Sequence, residues 1–305
     1  MYTYLHLKHP GWTALALLAA ACSRSTDQNE EAPPRLRAEL YMMSKCPFAA
    51  ELLPGLLEAR RLVGDRVDLE IRYLAQNDDG VLSSLYGPSD LQGDRWQLCA
   101  RQVGDDTQWT SFMRCQVSDL KNIPDNWPAC ARAAGLPASE LQACAEGALG
   151  TSLLSASISE SQRARVEASP TLLVDGKVYE GGRTVHHLAR AICDGMKAPK
   201  SDACGNLPAP PRVDVKLVLG PQCREASCDS RFRTFVEHNF PGANLTEVDA
   251  SSTEGKVLRE RTGIEAPFAW FGPEVSKVAP GFAKIAPVLR TAADGYAMSL
   301  TQRQQ

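Results

Sequence analysis

Ten cysteines, placed from Cys22 to Cys228, constrain this 305-residue chain more than any other feature. A reducing cytosol rarely carries so many thiols as bystanders, so the count points to an oxidising compartment and a fold stapled by disulfides. The remaining composition, 44% hydrophobic and 23% charged, is that of a globular protein and excludes a disordered or collagen-like chain. A formal net charge of −3 offers no basic footprint, so nucleic acid is not an expected partner. At about 100–200 residues per domain, the length suits two domains.

The first residues fit that compartment. Gly11 to Ala21 form a largely apolar run of 11 residues, short of the ~20 that cross a bilayer, so residues 1–21 read as a signal peptide. The stretch Leu18-Ala19-Ala20-Ala21-Cys22 resembles a bacterial lipobox. That resemblance implies lipidation of Cys22 and a lipid anchor in the cell envelope. Ser23 after the cysteine implies the outer membrane, periplasmic side. The plainer alternative is secretion with Cys22 in a disulfide. Residues 22–35 are polar and contain Pro33 and Pro34, the composition of a flexible tether. Membrane contact is expected through the lipid alone.

Beyond the tether, Leu36, Ala38, Leu40 and Met42 alternate with Arg37, Glu39 and Tyr41, which predicts a strand. Pro47 suits the first position of a helix, where its missing N–H would be unpaired anyway. That helix runs through Leu52, Leu53, Leu56 and Leu57 to Gly64, with a kink expected at Pro54-Gly55. Val67, Leu69, Ile71 and Tyr73 predict the next strand. Cys46 thus lies between a strand and a helix start, facing free backbone N–H groups and the positive end of the helix dipole. Both favour its thiolate, and Lys45 beside it adds to them. Much later, Ser169-Pro170 leads into a strand at Leu172, Leu173 and Val174, which Asp175-Gly176 turns back into Lys177, Val178 and Tyr179. Thr184 then caps a helix with Val185, Leu188, Ala189 and Ile192 on one face.

Together these stretches resemble the thioredoxin superfamily. The text of residues 82–166 reads as helices carrying Cys99, Cys115, Cys130 and Cys144. It is similar to the insertion of periplasmic disulfide oxidoreductases, and most similar to the gamma-interferon-inducible lysosomal thiol reductase family. The best stretches are SELQACAEGALGTSLL, SPTLLVDGKVYEGG and AICDGMKAPKSDAC, within residues 36–204. The resemblance implies an α/β thioredoxin-like domain in which Cys46 is catalytic, supported by Lys45, Pro47, Ser169 and Pro170, with a cis bond before Pro170. It also implies protein thiols or disulfides as clients and an external thiol donor. The family's pair is Cys-x-x-Cys, whereas Cys46-Pro47-Phe48-Ala49 has no second thiol to resolve a mixed disulfide. Monothiol exchange at Cys46 is therefore one expectation. The other is a redox-inactive module that holds extended peptides in a proline-flanked groove, with Phe48 on its wall.

Residues 205–212 are Pro-rich and predict a linker. In residues 213–305 a strand, Cys223 and Cys228, a helix, a strand, a helix and Pro267 before another strand follow in order. This resembles a second thioredoxin-like domain, without the insertion. The C-x4-C spacing suits either a second redox pair or a pin on the loop. With Cys22 lipidated, nine cysteines remain. Cys193 and Cys204, and Cys223 and Cys228, are local pairs. Cys99, Cys115, Cys130 and Cys144 allow three connectivities, of which Cys115–Cys130 nested inside Cys99–Cys144 is favoured. Cys46 is then left over as the free thiol. His186 and His187 point apart on a helix, and only His238 accompanies them past the signal peptide, so no metal site is expected. No G-x-G-x-x-G or G-x4-G-K-[ST] loop calls for a nucleotide, and no cofactor is expected. Trp96, Trp109, Trp127 and Trp270 are read as core.

Overall fold

Strand β1 (Leu36–Met42) is the spine of the first sheet, in a computed structural model that describes residues 34–223 and 230–301. Leu36, Ala38, Leu40 and Met42 are buried, but so are Glu39 and Tyr41 on the other face. Those two supply each other's partner, the Tyr41 hydroxyl donating to Glu39 Oε1 at 3.1 Å, which is how a polar face tolerates burial. Helix α1 (Pro47–Val63) takes Pro47 in its first turn, runs on through Pro54 and ends at Gly64, whose φ of 92° suits glycine. Strand β2 (Val67–Tyr73) returns parallel to β1, with Leu36 opposite Val67 and Met42 opposite Tyr73.

The helical text begins later than residue 82. Strands β3 (Gln76–Asp78) and β4 (Val81–Ser83) first form a separate hairpin. Asp79 and Gly80, at φ of 51° and 89°, make its turn, the left-handed pair that a two-residue hairpin needs. Five helices follow: α2 (Pro88–Val103), α3 (Asp106–Ser118), α4 (Trp127–Ala134), α5 (Ala138–Glu146) and α6 (Ala148–Arg163). Asp105 and Gln108 cap α3 reciprocally. Trp96 and Trp109 are buried, and Trp127 stacks on Trp96 with ring centroids 4.0 Å apart. Helix α6 also closes the end of β2: Tyr73 N donates to Ser157 Oγ at 2.8 Å, and Ser161 Oγ donates to Tyr73 O at 2.9 Å.

Strands β5 (Thr171–Val174) and β6 (Lys177–Val178) complete the sheet in the order β2-β1-β5-β6, with β5 antiparallel to β1. Helix α7 (Val185–Gly195), capped by Thr184, packs on α1, and α8 (Asp202–Gly205) follows.

A second sheet is built from β7 (Val213–Leu219), α9 (Ser230–Asn239), β8 (Ala243–Asp249), α10 (Thr253–Thr262), β9 (Phe268–Phe271), α11 (Ala279–Ile285), β10 (Arg290–Ala292) and β11 (Gly295–Ser299). Its strand order is β10-β11-β9-β7-β8. Strand β7 is parallel to β8 and antiparallel to β9, as β1 is to β2 and β5. Val213, Val215 and Leu217 enter one apolar cluster, while Val218, Phe268 and Trp270 enter another. By its contacts, Pro34–Gln305 is one compact unit. Lys284 of α11 pairs with Glu51 of α1 at 2.5 Å.

Candidate active site

Pro47 starts α1 and makes Cys46 its N-cap, with φ −72° and ψ 119°. The turn before it closes through Cys46 N donating to Met43 O at 3.0 Å, and Ala50 N donates back to Cys46 O at 2.9 Å. The cysteine is 1% exposed. Its Sγ donates to Ser169 O at 3.4 Å, and the Ser169–Pro170 bond is cis. Ser169 also holds the other end of the turn, because its Oγ accepts from Met43 N at 3.0 Å. Cys46, Pro47, Ser169 and Pro170, named from the sequence, therefore stand together.

Lys45 is turned elsewhere. Its ammonium donates to Ile123 O at 2.6 Å and Lys121 O at 3.4 Å, tying the turn to the loop between α3 and α4. Ala49, where the Cys-x-x-Cys pattern has its second thiol, is fully buried. Among the described residues Cys46 is the free cysteine.

Sequence reasoning missed the groups beneath the turn. Asp90 and Asp94, one helical turn apart on α2, are both fully buried. Asp90 Oδ1 accepts from Lys45 N at 2.7 Å and from Ser44 Oγ at 2.9 Å, and its Oδ2 accepts from Ser84 Oγ at 2.5 Å. Asp94 Oδ1 accepts from Ser44 N at 2.9 Å, while Asp94 Oδ2 has no partner. Helix α2 can come this close because residue 93 is glycine: a Cβ there would lie 2.5 Å from both Ser44 Oγ and Ile123 Cγ2. Burial, then the neighbouring charge of Asp90, hold the Asp94 carboxyl well above the usual carboxylate range, against the opposing Ser44 hydrogen bonds. Tyr73, whose hydroxyl donates to Gln97 Oε1 at 2.8 Å, is likewise pushed well up by burial and by the charges of Asp94 and Asp90. The only trace in the sequence is the spacing Asp90, Gly93, Asp94, which shares one helix face but does not say what that face meets.

Two cavities flank the turn. One, of about 460 Å³, has Phe48, Pro170 and Tyr179 on one wall and His238 and Lys284 on the other. Phe48 is 60% exposed. The second, of about 880 Å³, runs from Met43 and Ser84 to Ile158 of α6.

Six other cysteines are paired with one another. Disulfides join Cys99 to Cys144, Cys115 to Cys130 and Cys193 to Cys204, with Cα separations of 5.8, 5.4 and 5.5 Å. Cys223 is disulfide-bonded. It occupies a turn like that of Cys46, its N–H donating to Gly220 O at 3.0 Å, and Ala266–Pro267 is cis. Cys22 and Cys228 lie outside the described residues. His187 bonds Thr184 Oγ1 through Nδ1 at 2.9 Å. Burial, then His186 and His238, push its pKa down. Among the described residues no group of three or more His, Cys, Asp or Glu could hold a metal ion, and no helix is long and apolar enough to cross a membrane.

No family model and no curated protein matches the chain. Solved structures similar to it include MdbA, a thiol-disulfide oxidoreductase from Corynebacterium diphtheriae. That chain is 17% identical, with 52% of this chain and 83% of that one covered and a TM-score of 0.40. The oxidoreductase DsbA from Xylella fastidiosa is 15% identical over 53% of this chain and 88% of its own, at a TM-score of 0.40. A thioredoxin-like oxidoreductase from Silicibacter pomeroyi is 18% identical over 52% and 85%, at 0.37. These likenesses are slight and concern about half of the chain.

Proposed function

We propose that the chain is a thiol–disulfide exchange protein of the bacterial cell envelope. In this reading Cys22 is acylated and anchors it, residues 36–204 and 213–305 are two thioredoxin-like domains, and Cys46 works as a single thiol on protein clients. The observation that carries the proposal is the setting of Cys46: the free cysteine among the described residues, at a helix N-terminus, with its sulfur against the Ser169 carbonyl. A helix N-terminus favours the thiolate, which is the nucleophile.

In the exchange, the Cys46 thiolate attacks one sulfur of a client disulfide. The client S–S bond breaks, a Cys46–client S–S bond forms, and the other client sulfur leaves as a thiolate that takes a proton from water. An external thiolate then attacks the client sulfur and forms a new disulfide with it, returning Cys46 as a thiolate. The cycle shuffles disulfides without net oxidation. With Ala49 at the resolving position, the mixed disulfide has to wait for that external thiol.

The near-complete burial of Cys46 favours a second reading, a redox-inactive module that holds an extended peptide beside Phe48 and Pro170. Incubation of the full, non-reduced chain with an oxidised peptide, followed by acid quenching and non-reducing mass spectrometry, separates the two. Exchange predicts a peptide adduct on Cys46 that persists until dithiothreitol is added and is lost in Cys46→Ser. An adduct that forms only after denaturation would refute exchange and leave the binding module.

A further inference from the structure

Helix α1 leads away from Cys46 for about 20 Å, at 1.5 Å of rise per residue, before it reaches Arg60 and Arg61 in its last turn. These two arginines border a cavity of about 610 Å³ whose walls also carry Arg35, Arg101 of α2 and Arg114 of α3. Against the five guanidiniums, the lining among the described residues has three carboxylates, Glu58, Asp65 and Asp106. Two positive charges are left over, in a chain whose formal net charge is −3.

Two of the carboxylates are each divided between two arginines. Asp106 accepts from Arg60 through Oδ2 and from Arg101 through Oδ1, both at 2.7 Å. Glu58 accepts from Arg61 at 2.6 Å and from Arg114 at 3.1 Å. Burial pushes the Asp106 carboxyl up, but the hydrogen bonds from Arg60 and Arg101 outweigh it and hold its pKa below the ordinary value. A guanidinium has five N–H donors. Arg60, Arg101 and Arg114 each give a single nitrogen to these carboxylates, so the rest of each fork can serve another acceptor. The Trp109 ring, 4.6 Å from the Arg101 guanidinium carbon, holds that fork in place. The negative end of a helix dipole accounts for Arg60, Arg61 and Arg101, which sit in the last turns of α1 and α2. It does not account for Arg114, inside α3, or for Arg35, ahead of β1, or for the meeting of all five on one cavity.

We propose that this cavity binds the phosphate group of a phosphate monoester. The two surplus positive charges match the double negative charge of such a group. The guanidiniums reach the cavity from α1, α2, α3 and the approach to β1, a spread of directions that suits a tetrahedron of oxygens better than the single plane of a carboxylate. Arginine forks bind phosphate oxygens two at a time, and they are more weakly hydrated than an ammonium. Thr107 and Thr110 of α3 stand in the same lining, with hydroxyls that can donate to further oxygens. The volume exceeds that of a phosphate and leaves room for the organic part of the ester. The site does not depend on the chemistry of Cys46.

The phosphate can belong to a soluble ester or to a lipid headgroup, and two probes separate these. The first is calorimetric titration of the full, non-reduced chain with glycerol 3-phosphate at low ionic strength. The second is flotation of the Cys22→Ser chain, which has no acyl group to retain it, with phosphatidylcholine vesicles containing phosphatidic acid. Saturable binding of glycerol 3-phosphate without flotation assigns a soluble ester, and flotation with the phosphatidic acid vesicles assigns a headgroup. In either assay Arg101→Ala and Arg114→Ala should each weaken binding roughly tenfold or more. Arg163→Ala removes the same charge from α6, outside the cavity, and should leave affinity within about twofold. Arg114→Lys keeps the charge and loses the fork, so it should also bind more weakly, and it serves if an alanine variant fails to fold. Binding of neither probe would overturn the proposal, and so would an equal loss in Arg163→Ala, which would mark the attraction as one of overall charge.

Discussion

Replacing Asp94 with asparagine should cost the protein stability in acid, and that cost should shrink as the pH rises. The folded chain holds the Asp94 carboxyl well above its ordinary value of 3.8, by burial and then by the charge of Asp90. In the unfolded chain the same carboxyl ionises near that ordinary value. Between the two values the folded state carries a proton that the unfolded state has lost, so wild-type stability falls as pH rises. The fall is about 1.4 kcal/mol per pH unit inside that window and stops where the folded carboxyl ionises. The substituted amide would still accept from Ser44 N through its oxygen, but its NH2 group would take the place of Oδ2, which has no partner. The protonated carboxyl of the wild type already leaves one O–H there, so the amide adds a second orphan donor, which costs about 1–3 kcal/mol at any pH. The variant should therefore begin below wild type near the unfolded carboxylate value and gain on it by about 1.4 kcal/mol per unit until the folded carboxyl ionises. Paired urea titrations of both non-reduced chains, followed by tryptophan fluorescence over a pH series, measure the gap directly. All other titrating groups common to both proteins largely cancel in it. A gap that stays flat with pH, or that moves in favour of wild type, would refute the assignment of Asp94 as a carboxyl held towards its neutral form.

Two further outcomes follow from the same framework. Gly93→Ala puts a methyl 2.5 Å from Ser44 Oγ and Ile123 Cγ2, so α2 has to back away from the Cys46 turn. A loss of about 1–3 kcal/mol in urea titration is expected, with faster alkylation of Cys46 as the turn loosens. Replacing Cys115 and Cys130 together by serine opens a bridge of sequence separation 15, and should lower stability by about 3 kcal/mol on the chain-entropy model.

Much of the local architecture was written in period and punctuation. The alternation at Leu36–Met42, Pro47 after Cys46, the Asp175-Gly176 turn and the Thr184 cap are each local signals with a local cause. Asp79-Gly80 is the same kind of signal as Asp175-Gly176, and overlooking it displaced the start of the helical text from Pro88 to residue 82. The buried groups around Cys46 were not legible for a different reason. Asp90 lies 44 residues from Cys46 in the chain, and its meeting with Lys45 N is set by how α2 lies across the turn, which no window of sequence contains. Lys45 shows the same limit. Adjacency to Cys46 suggested a charge aimed at the thiol, yet its flexible stem reaches the carbonyls of Lys121 and Ile123 instead.

The two serines of α6 that bond to Tyr73 do more than finish a strand. An outermost strand with open N–H and C=O groups is a template for a stray strand of another molecule, and so a seed for aggregation. Ser157 and Ser161, one turn apart, fill both backbone groups of Tyr73 with hydroxyls from a helix. A helix cannot be extended by a strand, so the sheet is sealed there by a surface of the wrong geometry for growth. For a protein whose proposed clients are chains with disulfides to rearrange, and therefore partly unfolded, such a seal keeps the scaffold from joining what it handles.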